Sequence, residues 1–262
     1  MNQKIYQIDA FTTSVFHGNP AAVCILTSWA PDDLMQNIAA ENNLAETAFA
    51  VKSDRGYELR WFTPELEVDL CGHATLATAF VLFNYYGIKE NTLRFISQRS
   101  GVLFVQRNTD GSMTLDFPTD ELSAVPPQNR INEAIGVTPL ETFKGTSDYL
   151  LIYESQEAIE AISPNFHLLN ELDCRGVIVS APGNDVDFVS RFFAPQCGIP
   201  EDPVTGSAHT TLAPYWSKKL GKTNLSAKQC SKRGGMLTCE YVGERTKISG
   251  HAVCYLIGEI IL

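Results

Sequence analysis

A single carboxylate interrupts an apolar stretch of the chain. Residues 43–51 read NLAETAFAV, and Glu46 lies there among small and hydrophobic side chains. In a strand, Glu46 would share its face with Ala48 and Ala50 and could simply point into solvent. An ionised carboxylate that is buried without partners is costly, so burial would need a reason. The chemical alternative is that Glu46 takes a proton from a substrate and returns it.

Two glycine-led segments carry further polar groups. The segment DLCGHATLA places Gly72 and His73 at a predicted helix start, and EDPVTGSAH places Gly206 and Ser207 at another, shortly after Asp202. Backbone N–H groups at a helix N-terminus attract anions, and glycine lets a ligand approach the backbone closely. A pair of such helix starts could hold a carboxylate or stabilise an enolate-like charge. Taken singly, the glycines are more typical of ordinary turns, and Ser207 of a helix cap; only as a repeated pair do they favour a binding role equally.

The side chains beside these glycines could assist proton transfer. We expect the positive end of the helix dipole to lower the pKa of His73, so that a neutral imidazole relays protons. Asp202 could orient that imidazole or hold a substrate amine. The alternatives are a capping role for His73 and a solvated loop position for Asp202.

The motifs of several other site classes are missing. Cys71 and His73 are too close for the common zinc spacings, and no second cluster completes a set of four ligands, so no metal is expected. The chain has neither the G-x-G-x-x-G motif of dinucleotide sites nor the G-x-S-x-G elbow of serine hydrolases. Nothing in the sequence therefore indicates a nucleotide, a flavin or a nucleophilic serine.

Composition narrows the class of protein. The chain has 262 residues, 44% of them hydrophobic, and a formal net charge of -10. This length is enough for one large domain or two domains of ordinary size. The chain lacks the excess of basic residues that is typical of a nucleic-acid-binding protein. No run of eighteen apolar residues predicts a membrane span. The seven cysteines form no C-x-x-C pair and no secretory signal opens the chain, so we expect reduced thiols in the cytoplasm.

Strand-like segments alternate with a few helices in both halves of the chain. Helices are predicted over 31–43, 73–87 and 206–221, and a proline-rich linker is predicted over 118–130. RWFTP at 60–64 resembles RFFAP at 191–195, and each is followed by an acidic stretch, a glycine and a helix. Because the match is short and needs a gap, coincidence is the alternative to an internal repeat.

The repeat predicts two similar domains. We place them at residues 1–118 and 119–262, with the final strand, 252–262, able to return to the first domain. The apolar helix 74–86 is expected to be buried in the first domain and the helix 207–220 in the second.

Taken together, these motifs resemble the PhzF-like isomerases, which are named for phenazine biosynthesis and share the diaminopimelate-epimerase fold. The resemblance runs through DAFTTSVFHGNPAAV, the AET of residues 45–47, RWFTPELEVDLCGHATLA and EDPVTGSA, almost end to end. It implies an α+β fold in which each domain wraps a curved, mostly antiparallel sheet around a central helix. It also implies that no metal or organic cofactor is needed, and that the protein is a homodimer.

The resemblance assigns roles to particular residues. The family's proton-shuttling glutamate matches Glu46, and its other catalytic positions match His73, Asp202 and Ser207. Substrate contacts are expected from Asn19, Gly72 and Gly206, with Glu46 at the floor of an interdomain cleft. The family's type member isomerises trans-2,3-dihydro-3-hydroxyanthranilate. For this chain we expect a small carboxylate-bearing substrate, whose identity the sequence does not give.

Two alternative functions stay open from the sequence. Epimerases of this fold use two thiols, and Cys71 stands where the first would be, but TGSAH offers no second one and the nearest cysteine, Cys197, lies in a different loop. We therefore expect Cys71 to be a buried bystander, with an amino-acid epimerase that pairs Cys71 with another base as the alternative. A catalytically silent binding protein would predict damaged site residues, whereas Glu46, His73, Asp202 and Ser207 are all present.

Overall fold

The chain divides into two compact units. The computed structural model describes residues 2–262. One unit comprises the chain up to Asp116 together with Ser249–Leu262, and the other comprises Phe117–Ile248. Within the described residues, no helix is both long enough and apolar enough to cross a membrane.

The first unit is built on a mixed, mostly antiparallel sheet. Along that sheet the strands run in the order β17, β1, β2, β3, β4, β6, β7, β8, and only the pairs β2–β3 and β4–β6 are parallel. The short β5 pairs with β4. The strand bounds are β1 (Asn2–Ala10), β2 (Asn19–Leu26), β3 (Glu46–Ser53), β4 (Gly56–Phe62), β5 (Glu67–Val68), β6 (Thr92–Ser97), β7 (Gly101–Arg107), β8 (Met113–Pro118) and β17 (Ala252–Ile261).

Two helices pack against this sheet. Helix α1 (Asp32–Asn42) begins with two acids that favour the positive end of the dipole, and it ends at Asn43 in the left-handed conformation. Helix α2 (Gly72–Tyr85) is largely apolar, and ten of its fourteen residues are buried because it contacts β1, β2, β3, β7 and β17. It is the central helix that the sequence predicts.

The second unit has a sheet of the same kind around helix α6. Its strands run in the order β9 to β15, and only the pairs β11–β12 and β13–β14 are parallel. The strand bounds are β9 (Ser123–Ala124), β10 (Glu141–Lys144), β11 (Asp148–Ile152), β12 (Gly176–Pro182), β13 (Phe188–Phe193), β14 (Asn224–Gln229), β15 (Gly235–Val242) and β16 (Arg245–Gly250). The helices are α3 (Asn129–Ile135), α4 (Gln156–Glu160), α5 (Phe166–Asn170) and α6 (Ala208–Leu220).

The internal repeat is structural and not a coincidence of sequence. From β17 to β7 in the first sheet and from β9 to β15 in the second, the six successive strand pairs follow the same order. They are antiparallel, antiparallel, parallel, antiparallel, parallel and antiparallel. The arginines of RWFTP and RFFAP also make equivalent contacts. Arg60 donates a bidentate pair of hydrogen bonds to the Glu67 carboxylate, and Arg191 donates the same kind of pair to Glu201. We conclude that the chain contains two copies of one α+β architecture.

The proline-rich segment 118–130 is more ordered than a linker. It contains β9 and the first residues of α3. Ile131, Ala134 and Ile135 of α3 join a buried cluster with β12 residues such as Val177. Packing against the sheet therefore orders a segment whose composition alone predicts a loop.

Candidate active site

Glu46 is buried and does not point into solvent. It begins β3 and is 9% exposed, in a run of six buried residues. Strand alternation turns Phe49 and Val51 toward α1, where they share a hydrophobic cluster, and puts Glu46 on the opposite face with Ala48. Helix α2 also contacts β3. The solvent-facing interpretation of Glu46 is therefore wrong, because helices cover both faces of the strand.

The partner of Glu46 is His73. The distance from Oε2 of Glu46 to Nε2 of His73 is 3.1 Å, and the imidazole is only 5% exposed. The other ring nitrogen, Nδ1, lies 3.2 Å from Nδ2 of Asn19 and 3.4 Å from Sγ of Cys71. The imidazole thus bridges a carboxylate on one side and an amide and a thiol on the other.

The pKa of His73 is raised, contrary to the expectation from the helix dipole. Burial of the imidazole lowers the pKa, but the neighbouring Cys71 sulfur and the Glu46 carboxylate raise it by more, so it lies well above its ordinary value. The dipole argument fails because the interactions of His73 with Cys71 and Glu46 outweigh the partial charge of a helix end. The Glu46 carboxyl group and Cys71 therefore favour the protonated form of the imidazole.

The Asn19 side chain suits both protonation states of His73. It is fully buried at the start of β2. Its amide can offer an N–H to the lone pair of a neutral Nδ1 or, turned over, its oxygen to the Nδ1–H of the cation. Asn19 follows Gly18, whose φ is +65° and whose Cβ, if it had one, would lie 2.1 Å from the carbonyl oxygen of Ala10. The turn that delivers Asn19 therefore requires glycine.

Cys71 is a neutral thiol in this setting. Its burial and the nearby Glu46 carboxylate raise its pKa to about 11, more than the contact with His73 lowers it. A thiolate, which is the reactive form of cysteine, is therefore scarce at neutral pH. Its sulfur lies 3.4 Å from Nδ1 of His73, and the protonation state of the imidazole decides which of the two groups donates this weak hydrogen bond.

Glu46, Cys71 and His73 are also the one group of possible metal ligands found in residues 2–262, with donor atoms within 4.8 Å of one another. As they stand, they do not suit zinc. His73 presents Nε2 to Glu46 and Nδ1 to Cys71, and a single ion can be bound by only one of these two nitrogens. The donors instead lie in a row: Nδ1 of His73 is within hydrogen-bonding reach of Asn19 and Cys71, whereas Nε2 lies 3.1 Å from Oε2 of Glu46 without hydrogen-bonding geometry.

In the second unit, Asp202 is held inside the loop that precedes α6. It is 8% exposed, and its Oδ2 accepts a hydrogen bond from Oγ1 of Thr205 at 2.5 Å. The fully buried Gln229 side chain accepts from the backbone N–H of Thr205 at 2.8 Å and donates to the carbonyl oxygen of Asp202 at 2.7 Å. The solvated-loop interpretation of Asp202 is wrong, because Gln229 and Thr205 fold this loop onto the sheet.

Ser207 does not cap helix α6. Its backbone is already helical and its side chain makes no capping bond. Its Oγ instead accepts a hydrogen bond of 3.0 Å from Nη1 of Arg175. Neither Gly72 nor Gly206 has a positive φ among the described residues, so their conformations would accept other side chains. Glycine at these two helix starts leaves room beside the backbone.

Each unit therefore gathers its own part of the predicted site. The first brings together Asn19, Glu46, Gly72 and His73, and the second brings together Asp202, Gly206 and Ser207. Sequence inspection missed the polar side chains that hold the second group, namely Asp148, Arg175, Thr205 and Gln229. Only Thr205 lies within a recognised motif, EDPVTGSA, so the motif could have pointed to it.

Comparisons with known proteins identify close relatives over the whole chain. The family model described as "Phenazine biosynthesis-like protein" matches residues 8–258. A Pseudomonas aeruginosa protein named an uncharacterized isomerase is 51% identical, with both chains covered completely. A crystal structure of a PhzF-family phenazine biosynthesis protein from Enterococcus faecalis is also 51% identical, with complete coverage of both chains and a TM-score of 0.97.

A more distant neighbour confirms the predicted fold class. A hydroxyproline epimerase from Agrobacterium vitis has a TM-score of 0.60 at 11% identity, over 99% of this chain and 92% of the epimerase. At that identity the likeness concerns the fold alone. The α+β fold of the epimerase type, predicted from the motifs, is confirmed.

Proposed function

This chain belongs to the phenazine biosynthesis-like protein family, and we propose that it is an isomerase in which Glu46 moves a proton on a small carboxylate-bearing substrate. The observation that carries the proposal is the buried Glu46–His73 pair, with 3.1 Å between Oε2 and Nε2. A carboxylate and an imidazolium in a desolvated site are groups that exchange protons with a bound carbon acid. The isomerase name of the Pseudomonas relative is consistent with this chemistry.

In the proposed reaction, the Glu46 carboxylate removes a proton from a carbon next to an unsaturated group of the substrate. The C–H bonding electrons delocalise into that group, and the carboxylic acid returns the proton to another carbon, so that a double bond changes position. His73 stabilises the charge beside Glu46, and Asn19 holds the ring of His73 in either protonation state. The scheme consumes no oxidant or reductant, and no cofactor takes part in it.

The remaining predicted residues complete this proposal. Gly72 and Gly206 leave space for the substrate beside the first turns of α2 and α6, where backbone N–H groups favour a carboxylate. Asp202 and Ser207 contact the substrate and orient it. For a carboxylate substrate, the two roles are complementary: Ser207 donates to the anion, and Asp202 accepts from a hydroxyl or amine.

An amino-acid epimerase that uses Cys71 is the second candidate. It is favoured by the position of the thiol, 3.4 Å from His73 and buried beside the proposed base. Two observations weigh against it. The pKa of Cys71 is raised to about 11 by burial, and Thr205 stands before Gly206 where Cys71 stands before Gly72. Threonine cannot serve as the second thiol base.

Deuterium uptake from heavy water tests the proposal and separates the two candidates. The wild type, Glu46→Gln and Cys71→Ala are incubated with dihydro-3-hydroxyanthranilate and a panel of small unsaturated and amino acids, and uptake is followed by NMR. The proposal predicts uptake that is lost in Glu46→Gln and kept in Cys71→Ala. The reverse pattern would establish the epimerase. No uptake with any compound would count against both and favour a binding protein.

We also propose that the protein is a homodimer, with strand β17 at the interface. This strand exposes Tyr255, Leu256 and Ile257 in succession, and Phe16 packs edge-on against Tyr255. Ile261 near the end of the strand is 86% exposed. Several exposed apolar side chains close together on one strand are typical of protein–protein contacts.

A further inference from the structure

Strands β3 and β12 occupy the same place in their two sheets. The arginine of the repeated motif, Arg60 or Arg191, pairs with the fourth residue of β3 or β12. The first residues of these two strands, Glu46 and Gly176, therefore correspond. The neighbouring parallel strand agrees, because Ala21 pairs with Glu46 and Asp148 pairs with Gly176. The second unit therefore has a position equivalent to that of the proton-transferring glutamate.

The second unit places no acid at this position. A Cβ on Gly176 would lie 2.4 Å from the ring of Phe192, so even alanine would not fit without movement. The charged groups here come from the adjacent positions instead. Arg175 precedes Gly176 in the chain, and Asp148 is its ladder partner. The equivalent residues in the first unit, Ala45 and Ala21, carry no charge.

These charged groups form a series of hydrogen bonds that ends at Ser207. Nε of Arg175 donates to Oδ1 of Asp148 at 2.9 Å, and Nη2 donates to Oδ2. Asp148 is 2% exposed, so this fork pairs a buried carboxylate with a guanidinium group. The remaining terminal nitrogen, Nη1, donates to Oγ of Ser207 at 3.0 Å. Ser207 follows Gly206 as His73 follows Gly72.

The direction of this last hydrogen bond is fixed by chemistry. A guanidinium group has five N–H donors and no acceptor, so the Ser207 oxygen must accept. The hydroxyl proton then points away from Arg175. Because Ser207 makes no capping bond to α6, that proton is available to another acceptor. A nearby positive charge also makes the hydroxyl a stronger donor.

We propose that Asp148 and Arg175 are positioning residues that hold the Ser207 hydroxyl as a hydrogen-bond donor to the substrate carboxylate. The orientation of Ser207 stands on the hydrogen bonds alone, whereas its action on a substrate rests on the proposed function. The two copies of the repeat thus differ in their proposed roles. One unit has a proton-transfer pair at the start of its helix, and the other has a hydrogen-bond donor for an anion at the start of its helix.

A double-variant cycle tests the chain of contacts. Arg175→Lys keeps a positive charge for Asp148 but lacks the planar fork, so it cannot serve Asp148 and Ser207 together. With any compound that shows Glu46-dependent deuterium uptake, we expect Arg175→Lys and Ser207→Ala each to lower kcat/KM about tenfold. The double variant should be no slower than Ser207→Ala. Multiplied losses, or an unchanged Arg175→Lys enzyme, would overturn the proposal.

Arg60→Lys is the matched control, because Arg60 also forks onto a carboxylate, that of Glu67, but has no bond to Ser207. It should leave kcat/KM unchanged. If Arg175→Lys does not fold, Asp148→Asn is used in its place, since the amide weakens the fork and the Arg175 charge that loses its carboxylate is 38% exposed to water. The same cycle with Ser207→Ala then applies.

Crystal structures of the wild type and Arg175→Lys provide a readout that does not depend on activity. We expect the Ser207 side chain to hold one rotamer in the wild type and to occupy others once the guanidinium is gone. A Ser207 that keeps its rotamer in Arg175→Lys would overturn the positioning role. If the wild type shows no uptake with any compound, the proposed function fails, and the rotamers alone decide whether Arg175 positions Ser207.

Discussion

Replacing Glu46 by glutamine should reverse the pH dependence that His73 gives to stability. In the wild type, the carboxylate 3.1 Å from Nε2 keeps the pKa of His73 well above its ordinary value despite burial. Glutamine has a similar shape but no charge. Because the pKa of Cys71 is raised to about 11 and its thiol is neutral, burial is then opposed by no nearby negative charge and should bring the pKa of His73 below that value.

The size of the effect follows from linkage. In the wild type the stabilisation is complete below the unfolded pKa of about 6.5 and is lost as pH rises through the folded pKa. In Glu46→Gln the sign is opposite, because a histidine that resists protonation in the folded state destabilises it at low pH. The wild-type advantage in unfolding free energy should therefore be largest at the acidic end. Between the pKa of His73 in the variant and its pKa in the wild type, the advantage should shrink by about 1.4 kcal/mol for each unit by which the pH rises.

Urea denaturation from about pH 5.5 to about pH 8.5 measures this advantage, since the range spans the ordinary histidine pKa and stays at or below that of cysteine. The control is Glu58→Gln, which removes a carboxylate whose contact is the Trp29 indole and not a histidine. Its effect on stability should be nearly constant over the same range. NMR titration of His73 in both proteins gives the pKa change directly. An advantage of Glu46 that stays constant, or that grows with pH, would refute the assignment of an imidazolium–carboxylate pair.

Three further variants test other parts of the account. Cys71→Ala should keep Glu46-dependent deuterium uptake within about threefold of the wild type, because only a weak hydrogen bond between the thiol and the imidazole is lost; abolished uptake would contradict this. Gln229→Leu should lower the unfolding free energy in urea by about 2–4 kcal/mol, because it removes the hydrogen bonds that the Gln229 side chain makes inside the protein with the Thr205 N–H and the Asp202 carbonyl; an unchanged value would show that the loop has other support. Ile257→Lys should shift the sedimentation coefficient from dimer to monomer; a variant that stays dimeric would place the interface elsewhere.

The strands and long helices could be predicted because their signals are local. Alternation, apolar runs and end signals such as Asn43 and Gly221, both in the left-handed conformation, lie within each segment. The helices α3, α4 and α5 are five to seven residues long, too short for a periodic pattern to stand out. They exist because residues such as Ile131, Ile159 and Leu169 pack on a sheet formed by distant segments.

The candidate site was predictable only in its motif-bearing residues. Glu46, His73 and Asp202 stand in recognisable motifs, whereas Arg175 and Gln229 stand in none. Their hydrogen bonds reach residues 24 to 32 positions away, and no local pattern encodes such pairings.

The sign of the His73 pKa shift was missed for the same reason. The helix dipole is visible in the sequence, but the approach of Glu46 to His73 requires β3 and α2 to be packed together. Burial of Glu46 likewise depends on coverage of both faces of β3, which alternation within the strand does not reveal.

The most direct test of the central claim is the rate of deuterium uptake by Glu46→Gln relative to the wild type, measured on one responsive compound. Circular dichroism and urea denaturation would show that both proteins are folded. Because Glu46 is proposed to carry the proton itself, the rate should fall by about 10²–10⁴-fold or more. A folded Glu46→Gln protein that exchanges within about threefold of the wild type would contradict the claim, since a lost general base costs far more than that.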